Sequence, residues 1–402
     1  MKYPFLLVSF LFAATIFGQP ADRTRLAPLP PMGWMTWNLC GDNINESIIR
    51  KMADVMESGG MVAAGYRYIM IDDGWQGGRD KKNNMVADSS RFPSGIKALA
   101  AYVHSKGIKL GIYSDAAPLT CAGYTASLNF EEQDAKTFAS WDIDYLKYDY
   151  CHAPEDSATA KIRYTKMANA LTASGRDIVF GICEWGGRQP WNWAATAGGS
   201  LWRTTGDVRD KWQAKPGEYG VGIMEIVNIN AGLSRFAGPG RWNDPDMLIV
   251  GLYGAKGPSG DLGGIGCTDT EYQSQMSLWC IMASPLIASN DLANMNEITR
   301  RILLNREAID INQDAAGHQG EQILNDENWL VLLKTLQNGD AALAILNKSG
   351  AARDTSVSLA ALGLKGNYTI RDLWLHASVG KNNKWKGSIQ AHETKLFRLI
   401  KK

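Results

Sequence analysis

The chain has 402 residues, 45% of them hydrophobic and 21% charged, proportions ordinary for a globular enzyme and too apolar for a disordered chain. Its length exceeds the usual single domain, so one large domain and one small one are expected. A formal charge of +1 gives no electrostatic reason to expect nucleic acid or an anionic membrane surface as partner.

Met1-Lys2-Tyr3-Pro4 precedes an apolar stretch from Phe5 to Phe17, and Gly18-Gln19-Pro20-Ala21 follows it. About 13 apolar residues match the core of an export signal and fall short of the roughly 20 needed to cross a bilayer. Residues 1–20 are therefore expected to be a cleavable signal peptide, cut near Gly18 to Ala21, and the protein to be periplasmic or secreted. No cysteine near that site suggests a lipid anchor.

From about residue 30 to 310, short β-branched or aromatic runs alternate with helical patterns. Met32–Trp37, Tyr66–Trp75, Lys109–Asp115, Ile143–Cys151, Ile178–Trp185, Leu201–Asp207, Arg241–Met247 and Pro285–Asn290 are the strand candidates. Glu46–Ser58 sets Ile48, Ile49, Met52, Val55 and Met56 on one helical face; Gly95–His104 and Ala158–Thr172 have the same spacing, the last ending at Gly175. Eight β-then-α units over about 280 residues predict a (β/α)8 barrel, usually ~250 residues long, spanning residues 27–311.

The pattern changes after residue 312. Trp329–Leu336 is apolar, Gln337-Asn338-Gly339-Asp340 is a hairpin signal, and Ala341–Leu346 reads as the returning strand. Tyr368–Leu373 and Leu396–Ile400 add strands, and no helix-length periodicity appears. An antiparallel β-sandwich over 315–402, packed directly on the barrel, is expected.

The chain has six cysteines and five histidines. No CxxC occurs and the histidines never recur at metal-ligand spacing. Six cysteines in a chain this long do not make a disulfide-built scaffold.

In a parallel barrel, functional groups gather at the C-terminal ends of the strands. Those ends are polar here: Asp72-Asp73-Gly74-Trp75, Tyr113-Ser114-Asp115, Lys147 and Asp149, Cys183-Glu184-Trp185, Arg203 and Asp207, and Asn243-Asp244-Pro245-Asp246. Carboxylates, cations and indoles converging on one mouth suit a polyhydroxylated ligand, charged groups taking hydroxyls and indole faces taking C–H surfaces. Lys147 and Asp149 lie two apart on a strand and point the same way, so the ammonium is expected to keep Asp149 ionised, as a nucleophile needs. Two carboxylates on two strand tips are what acid/base and nucleophilic work on a glycosidic bond requires. Asp72-Asp73 could bind a metal, but such a site wants further oxygen or imidazole ligands at fixed spacing, and sugar hydroxyls are the expected use of the pair.

These strings together resemble glycoside hydrolase family 27, the melibiase-type α-galactosidases. The resemblance runs from Pro31-Met32-Gly33-Trp34 through Asp72–Trp75, Thr120-Cys121-Ala122-Gly123, Leu146–Cys151, Cys183–Gly186 and Trp202–Asp207 to Trp242–Met247 and Ile309–Asp314. It implies a (β/α)8 barrel with a C-terminal β-sandwich, and an exo-acting retaining α-galactosidase that removes terminal α-D-galactosyl residues from oligosaccharides or galactosylated polymers. Asp149 would be the nucleophile and Asp207 the general acid/base, their carboxyls about 5 Å apart. Asp72 and Asp73 would hold the axial 4-OH and the 6-OH, Lys147 the hydroxyls near C3 and C4, and Arg203 and Asp246 the 2-OH side. Trp37 and Tyr113 would wall the pocket, and Cys121 would pair with Cys151 beside the nucleophile. The partner implied is carbohydrate; no metal or organic cofactor is implied.

Glu184 followed by bulky Trp185 resembles the α-galactosidase form of that loop, whereas relatives taking N-acetylgalactosamine have Ser and small residues. Asp73 is kept, whereas arabinopyranose-preferring relatives have a larger acid. The alternatives are therefore a sibling α-N-acetylgalactosaminidase or β-L-arabinopyranosidase, or a sugar-binding protein with a dead barrel, against which the presence of both Asp149 and Asp207 argues. Some relatives have cysteines where Gly74 and Gly198 or Gly199 stand, so Cys40, Cys183, Cys267 and Cys280 are expected to be free thiols. Gly186–Gln189 also differs from animal relatives.

Overall fold

The computed structural model describes residues 25–218, 220–254, 266–380 and 383–402; the expected signal peptide lies outside them. Eight parallel strands form the first sheet: β1 (Met32–Met35), β2 (Tyr68–Met70), β3 (Lys109–Asp115), β4 (Tyr145–Asp149), β5 (Val179–Ile182), β6 (Leu201–Arg203), β7 (Trp242–Asp244) and β8 (Leu286–Ala288). They neighbour one another in the order β8-β1-β2-β3-β4-β5-β6-β7. Just beyond β7, Leu248 bridges Ala288 of β8 in parallel and its N–H reaches the Ile287 carbonyl at 2.7 Å, which closes the ring. Gly33 permits the tight contact of β1 with β2, since a Cβ there would lie 2.4 Å from the Tyr68 carbonyl oxygen.

Strand β3 matches its expected run, and the other strands are shorter than the runs expected from sequence, because most of the polar tips leave the ladder. Asp207 in particular is not a strand-end residue: β6 ends at Arg203, and Asp207 sits in the loop beyond Gly206. Helices α1 (Glu46–Ser58), α2 (Gly95–Ser105), α3 (Glu131–Ser140) and α4 (Ser157–Ala173) follow the first four strands. The side chains of Asn45 and Asp156 cap α1 and α4 by accepting the Ile48 and Thr159 N–H groups. Ile49, Met52, Ala53 and Met56 of α1 are buried on the barrel. Then α5 (Ile223–Asn230) follows β6, α6 (Asp269–Ile281) follows β7, and α7 (Glu297–Leu303) and α8 (Arg306–Asn312) follow β8. Among the described residues β5 is followed only by a 3-10 turn, Pro190–Asn192, so the regular alternation expected from sequence breaks there.

The C-terminal part has a six-stranded antiparallel sheet of β9 (Glu321–Asn325), β10 (Trp329–Thr335), β11 (Ala341–Asn347), β13 (Tyr368–Asp372), β14 (Ala377–Ser378) and β16 (Thr394–Lys401), with β12 (Arg353–Ser358) and β15 (Lys384–Ile389) pairing separately. Both faces of its centre are covered. Leu330, Leu332, Ala342, Ala344 and Leu396 join the barrel's core, while Val331, Leu343, Ile345, Phe397 and Leu399 pack with Trp385 and Ile389 of β15. Two-sided burial explains why β11 reads Ala-Ala-Leu-Ala-Ile-Leu-Asn without alternation. The turn at Gln337–Asp340 closes as its sequence predicts, with the Leu336 N–H on the Asp340 carbonyl and Gly339 at φ +85°.

Candidate active site

A cavity of about 460 Å³ opens at the C-terminal end of the barrel. Trp37 reaches it from just after β1, Asp72 and Asp73 from after β2, Tyr113 from β3, Cys121 from the next loop, and Lys147, Asp149 and Cys151 from β4 and its end. Trp185 comes from after β5, and Gly206, Asp207, Gly220 and Val221 from the loop between β6 and α5. Gly206, Gly220 and Val221 are additions to the residues expected from sequence. No side-chain chemistry marks them, so only the path of the loop reveals them.

The first cluster is an ion pair on the floor. Lys147 Nζ donates to Asp72 Oδ2 at 2.7 Å and lies 5.2 Å from the centre of the Tyr113 ring. Asp72 is held in turn by its own N–H on Thr36 Oγ1 at 3.0 Å. Asp73 accepts the Ala122 N–H at 2.8 Å, which ties the loop after β2 to the loop after β3; burial pushes its carboxyl up to about 6.

Asp149 accepts the Tyr150 N–H at 3.1 Å. Burial dominates its titration, and with the Asp207 and Asp72 charges it outweighs Lys147 and pushes the carboxyl up to about 7. The expectation that Lys147 holds Asp149 low is therefore corrected. The ammonium is engaged by Asp72, and a buried carboxylate without its own cation is disfavoured. Asp207 is the opposite case. Burial pushes it up too, but Arg203, donating at 2.9 Å, and Lys147 together hold it below the ordinary range.

Arg203, Asp246 and Glu184 do not line the cavity. Arg203 and Asp246 lie beneath it, 3.2 Å apart, and line a separate small void in the barrel. Asp246 Oδ2 also accepts the Val208 N–H at 2.8 Å, so this buried pair grips both Asp207 and the residue after it. Glu184 is fully buried, its Oε2 accepting the Arg188 N–H at 2.8 Å; burial pushes it up to about 7 despite Arg188. Its loop is tight. Trp185 has φ +57°, and at Gly186 a Cβ would sit 2.0 Å from the Thr204 carbonyl oxygen. That packing fixes Trp185 against the cavity.

Cys121 and Cys151 form a disulfide with Cα atoms 5.1 Å apart, and Cys40, Cys183, Cys267 and Cys280 are buried free thiols. Tyr113 donates its hydroxyl to Cys121 Sγ at 3.2 Å. Asp115, whose strand-end position was legible but whose role was not, pairs with Asp149 across the β3–β4 ladder and accepts the Cys151 N–H at 2.9 Å. Burial and the Asp149 charge push it up to about 9, which favours its neutral form. Asp115, Asp149 and the two disulfide sulfurs place their ligand atoms within 4.8 Å of one another, but disulfide sulfurs are not thiolates and make a poor donor set for a metal.

Comparison with known proteins converges on one family. The model described as "Alpha galactosidase A" matches residues 29–314, and that of the "Alpha galactosidase C-terminal beta sandwich domain" matches 326–399. Alpha-galactosidase A of Cellvibrio japonicus is 46% identical over 352 residues, 87% of this chain and 82% of that protein. The crystal structure of α-galactosidase I from Mortierella vinacea superposes with a TM-score of 0.87 at 34% identity, covering 94% of this chain and 98% of that one. The Saccharomyces cerevisiae α-galactosidase structure with raffinose gives 0.84 at 27% identity, covering 94% and 98%.

Proposed function

The chain belongs to glycoside hydrolase family 27, the melibiase-type α-galactosidases, and from this we propose that its cavity performs exo-acting, retaining hydrolysis of terminal α-D-galactosyl residues. The glycosidase activity is the family's; the roles of single residues are our assignment. The observation that carries it is that Asp149 and Asp207 line one blind cavity while facing unlike surroundings. A pair of carboxyls in different environments is what separates nucleophile from acid.

In the first half-reaction Asp149 Oδ attacks the anomeric carbon, the glycosidic C–O bond breaks, and Asp207 gives its proton to the leaving oxygen. A covalent galactosyl ester results. In the second, Asp207 takes a proton from water, which attacks the same carbon and frees Asp149, so the product keeps the α configuration. The resting electrostatics favour the proton on Asp149 rather than Asp207, so the working form is the less populated arrangement of one shared proton. Asp72, Asp73 and Lys147 take hydroxyls of the sugar, and Trp37, Tyr113 and Trp185 meet its C–H faces. Arg203 and Asp246 act from beneath, through Asp207. The bulky Trp185 in the cavity lining supports unsubstituted galactose over a 2-acetamido sugar, and raffinose-type oligosaccharides fall within the proposed range.

The same proposal places the barrel at residues 27–311, the sandwich at 315–402, and an export signal at 1–20. No helix among the described residues is long and apolar enough to cross a membrane, and the Cys121–Cys151 disulfide suits an oxidising compartment. Proton NMR of the first-formed sugar, with aryl α-galactoside, α-N-acetylgalactosaminide and β-L-arabinopyranoside compared in parallel, tests the reading. Initial α-galactose and preference for the galactoside are expected. An initial β-anomer overturns retention, and faster cleavage of either competitor overturns the substrate.

A further inference from the structure

We propose that the C-terminal domain takes part in the acid step: His392, just before β16, is a positioning residue for the loop that carries Asp207, and acts through Trp212. The proposal rests on the acid/base reading of Asp207.

The loop from Thr204 to Gly222 supplies Gly206, Asp207, Gly220 and Val221 to the cavity. Its two limbs are laced together. The Val221 N–H donates to the Asp207 carbonyl at 2.9 Å, Arg209 N–H to the Val221 carbonyl at 2.8 Å, Ile223 N–H to Lys211 at 3.1 Å and Met224 N–H to Trp212 at 2.9 Å. A shift at Trp212 is thus passed to Asp207 through consecutive backbone bonds. Trp212 does not line the cavity, so a sugar-stacking role does not account for it.

What covers Trp212 is His392. The two rings stack with centroids 4.7 Å apart and 15° between planes. His392 is fixed on its other sides. Its Nδ1 lies 2.7 Å from Glu271 Oε1, its carbonyl accepts Ser274 Oγ at 2.6 Å, and the Thr394 N–H donates to that same hydroxyl at 2.7 Å. Glu271 and Ser274 belong to the first turns of α6, where Glu271 also closes a capping box with Thr268. The next residue, Tyr272, donates its hydroxyl to Asp210 at 2.8 Å, so the same helix end holds the loop at a second point. His392 adopts φ +58°, a left-handed backbone that a non-glycine residue enters only when its surroundings enforce it. Here the enforced result is an imidazole laid flat on the loop.

The test compares kcat/KM, which reports the bond-breaking half alone, for raffinose and for p-nitrophenyl α-galactoside. Only the poor leaving group needs a well-placed acid. His392→Ala is expected to lower kcat/KM about tenfold on raffinose and less than about twofold on the aryl substrate, a displacement of the acid by a fraction of an ångström being enough. His392→Phe, which keeps the ring and loses the hydrogen bond to Glu271, is expected to restore most of the loss. Trp212→Leu, made in the barrel itself, is expected to reproduce the split. Equal losses on the two substrates, or no rescue by Phe, would overturn the proposal. Asp207→Asn run alongside separates the two layers. If it shows no leaving-group split, the acid/base reading fails; if it does and neither His392→Ala nor Trp212→Leu follows, only this inference fails.

Discussion

Lys334 offers a quantitative test of how the two parts of the molecule are joined. Its side chain leaves β10 and is buried at the interface, where, among the described residues, Nζ donates to the Ile311 carbonyl near the end of α8 at 2.5 Å. Burial pushes the ammonium down from 10.5 to about 8, with Asp314 only partly compensating. At roughly 1.4 kcal/mol for each pH unit, keeping this lysine charged costs folding about 3 kcal/mol at neutral pH. Lys334→Met keeps most of the stem's volume and removes that cost, but leaves the Ile311 carbonyl without its donor, a loss of about 1 kcal/mol. The variant should therefore be about 2 kcal/mol more stable than the parent at pH 7. The sign then changes with pH. Lys334 is lower in the folded state, so its penalty is complete below pH 8 and disappears as pH rises from 8 to the unfolded value near 10.5. The advantage of the variant should shrink over that window and end as a deficit of about 1 kcal/mol, the missing hydrogen bond. Urea unfolding followed by tryptophan fluorescence at pH 7 and at pH 10 measures most of this change, the two proteins being about equal in stability at pH 10. A variant less stable than the parent at pH 7, or a difference that does not move with pH, would refute the reasoning.

Two further outcomes concern the cavity. The basic limb of kcat/KM should fall near pH 7, because Asp149 and Asp207 share one proton and the pair loses it as pH rises through that value. Lys147→Met removes a cation that lowers Asp149 and should move the limb to higher pH by on the order of one unit; a limb that stays or falls would contradict the assignment, whatever happens to KM. Gly186→Ala puts a Cβ 2.0 Å from the Thr204 carbonyl at φ +76°, so either Trp185 or the start of the Asp207 loop must move, and a loss of roughly a hundredfold in kcat/KM is expected. Kinetics within about twofold of the parent would show that the loop absorbs the methyl group without moving either residue.

The barrel strands were legible because strands covered on both faces must be nearly continuous apolar runs, and α1 and α4 because their apolar residues recur at helical spacing. The strands that escaped sequence reading are those whose reason for existing is a distant partner. Glu321–Asn325 is exposed along its whole length and pairs with β10. Arg353–Ser358 and Lys384–Ile389 hold each other across a long connection, and the short pair Gln76–Arg79 and Met85–Ala87 is an excursion of the loop after β2. At the site, residue types at strand tips were readable, and all of Asp72, Asp73, Tyr113, Lys147, Asp149, Trp185 and Asp207 line the cavity. Depth was not readable. Nothing local distinguishes Arg203 and Asp246, which the cavity lining leaves out, from the groups that line it, and sequence spacing placed Lys147 beside Asp149 without revealing that Asp72 engages the ammonium.

That last point bears on catalysis. The buried charges sort into Lys147 with Asp72, and Arg203 shared between Asp207 and Asp246. Asp73, Asp115 and Asp149 form no ion pair among the described residues, and Asp149 is the one of the three proposed to attack. An unpaired buried anion is poorly stabilised in the resting enzyme, which is why burial raises it to about 7. The proposed reaction, however, develops positive charge at the anomeric carbon next to that carboxylate. An anion short of partners in the ground state gains most when such charge appears, so its interaction is spent on the transition state rather than on the bound sugar. Lys147 bound to Asp149 instead of Asp72 would lower the nucleophile's pKa and at the same time blunt this gain. In the proposed mechanism, Asp72 would by engaging the lysine keep Asp149 reactive as well as hold a hydroxyl.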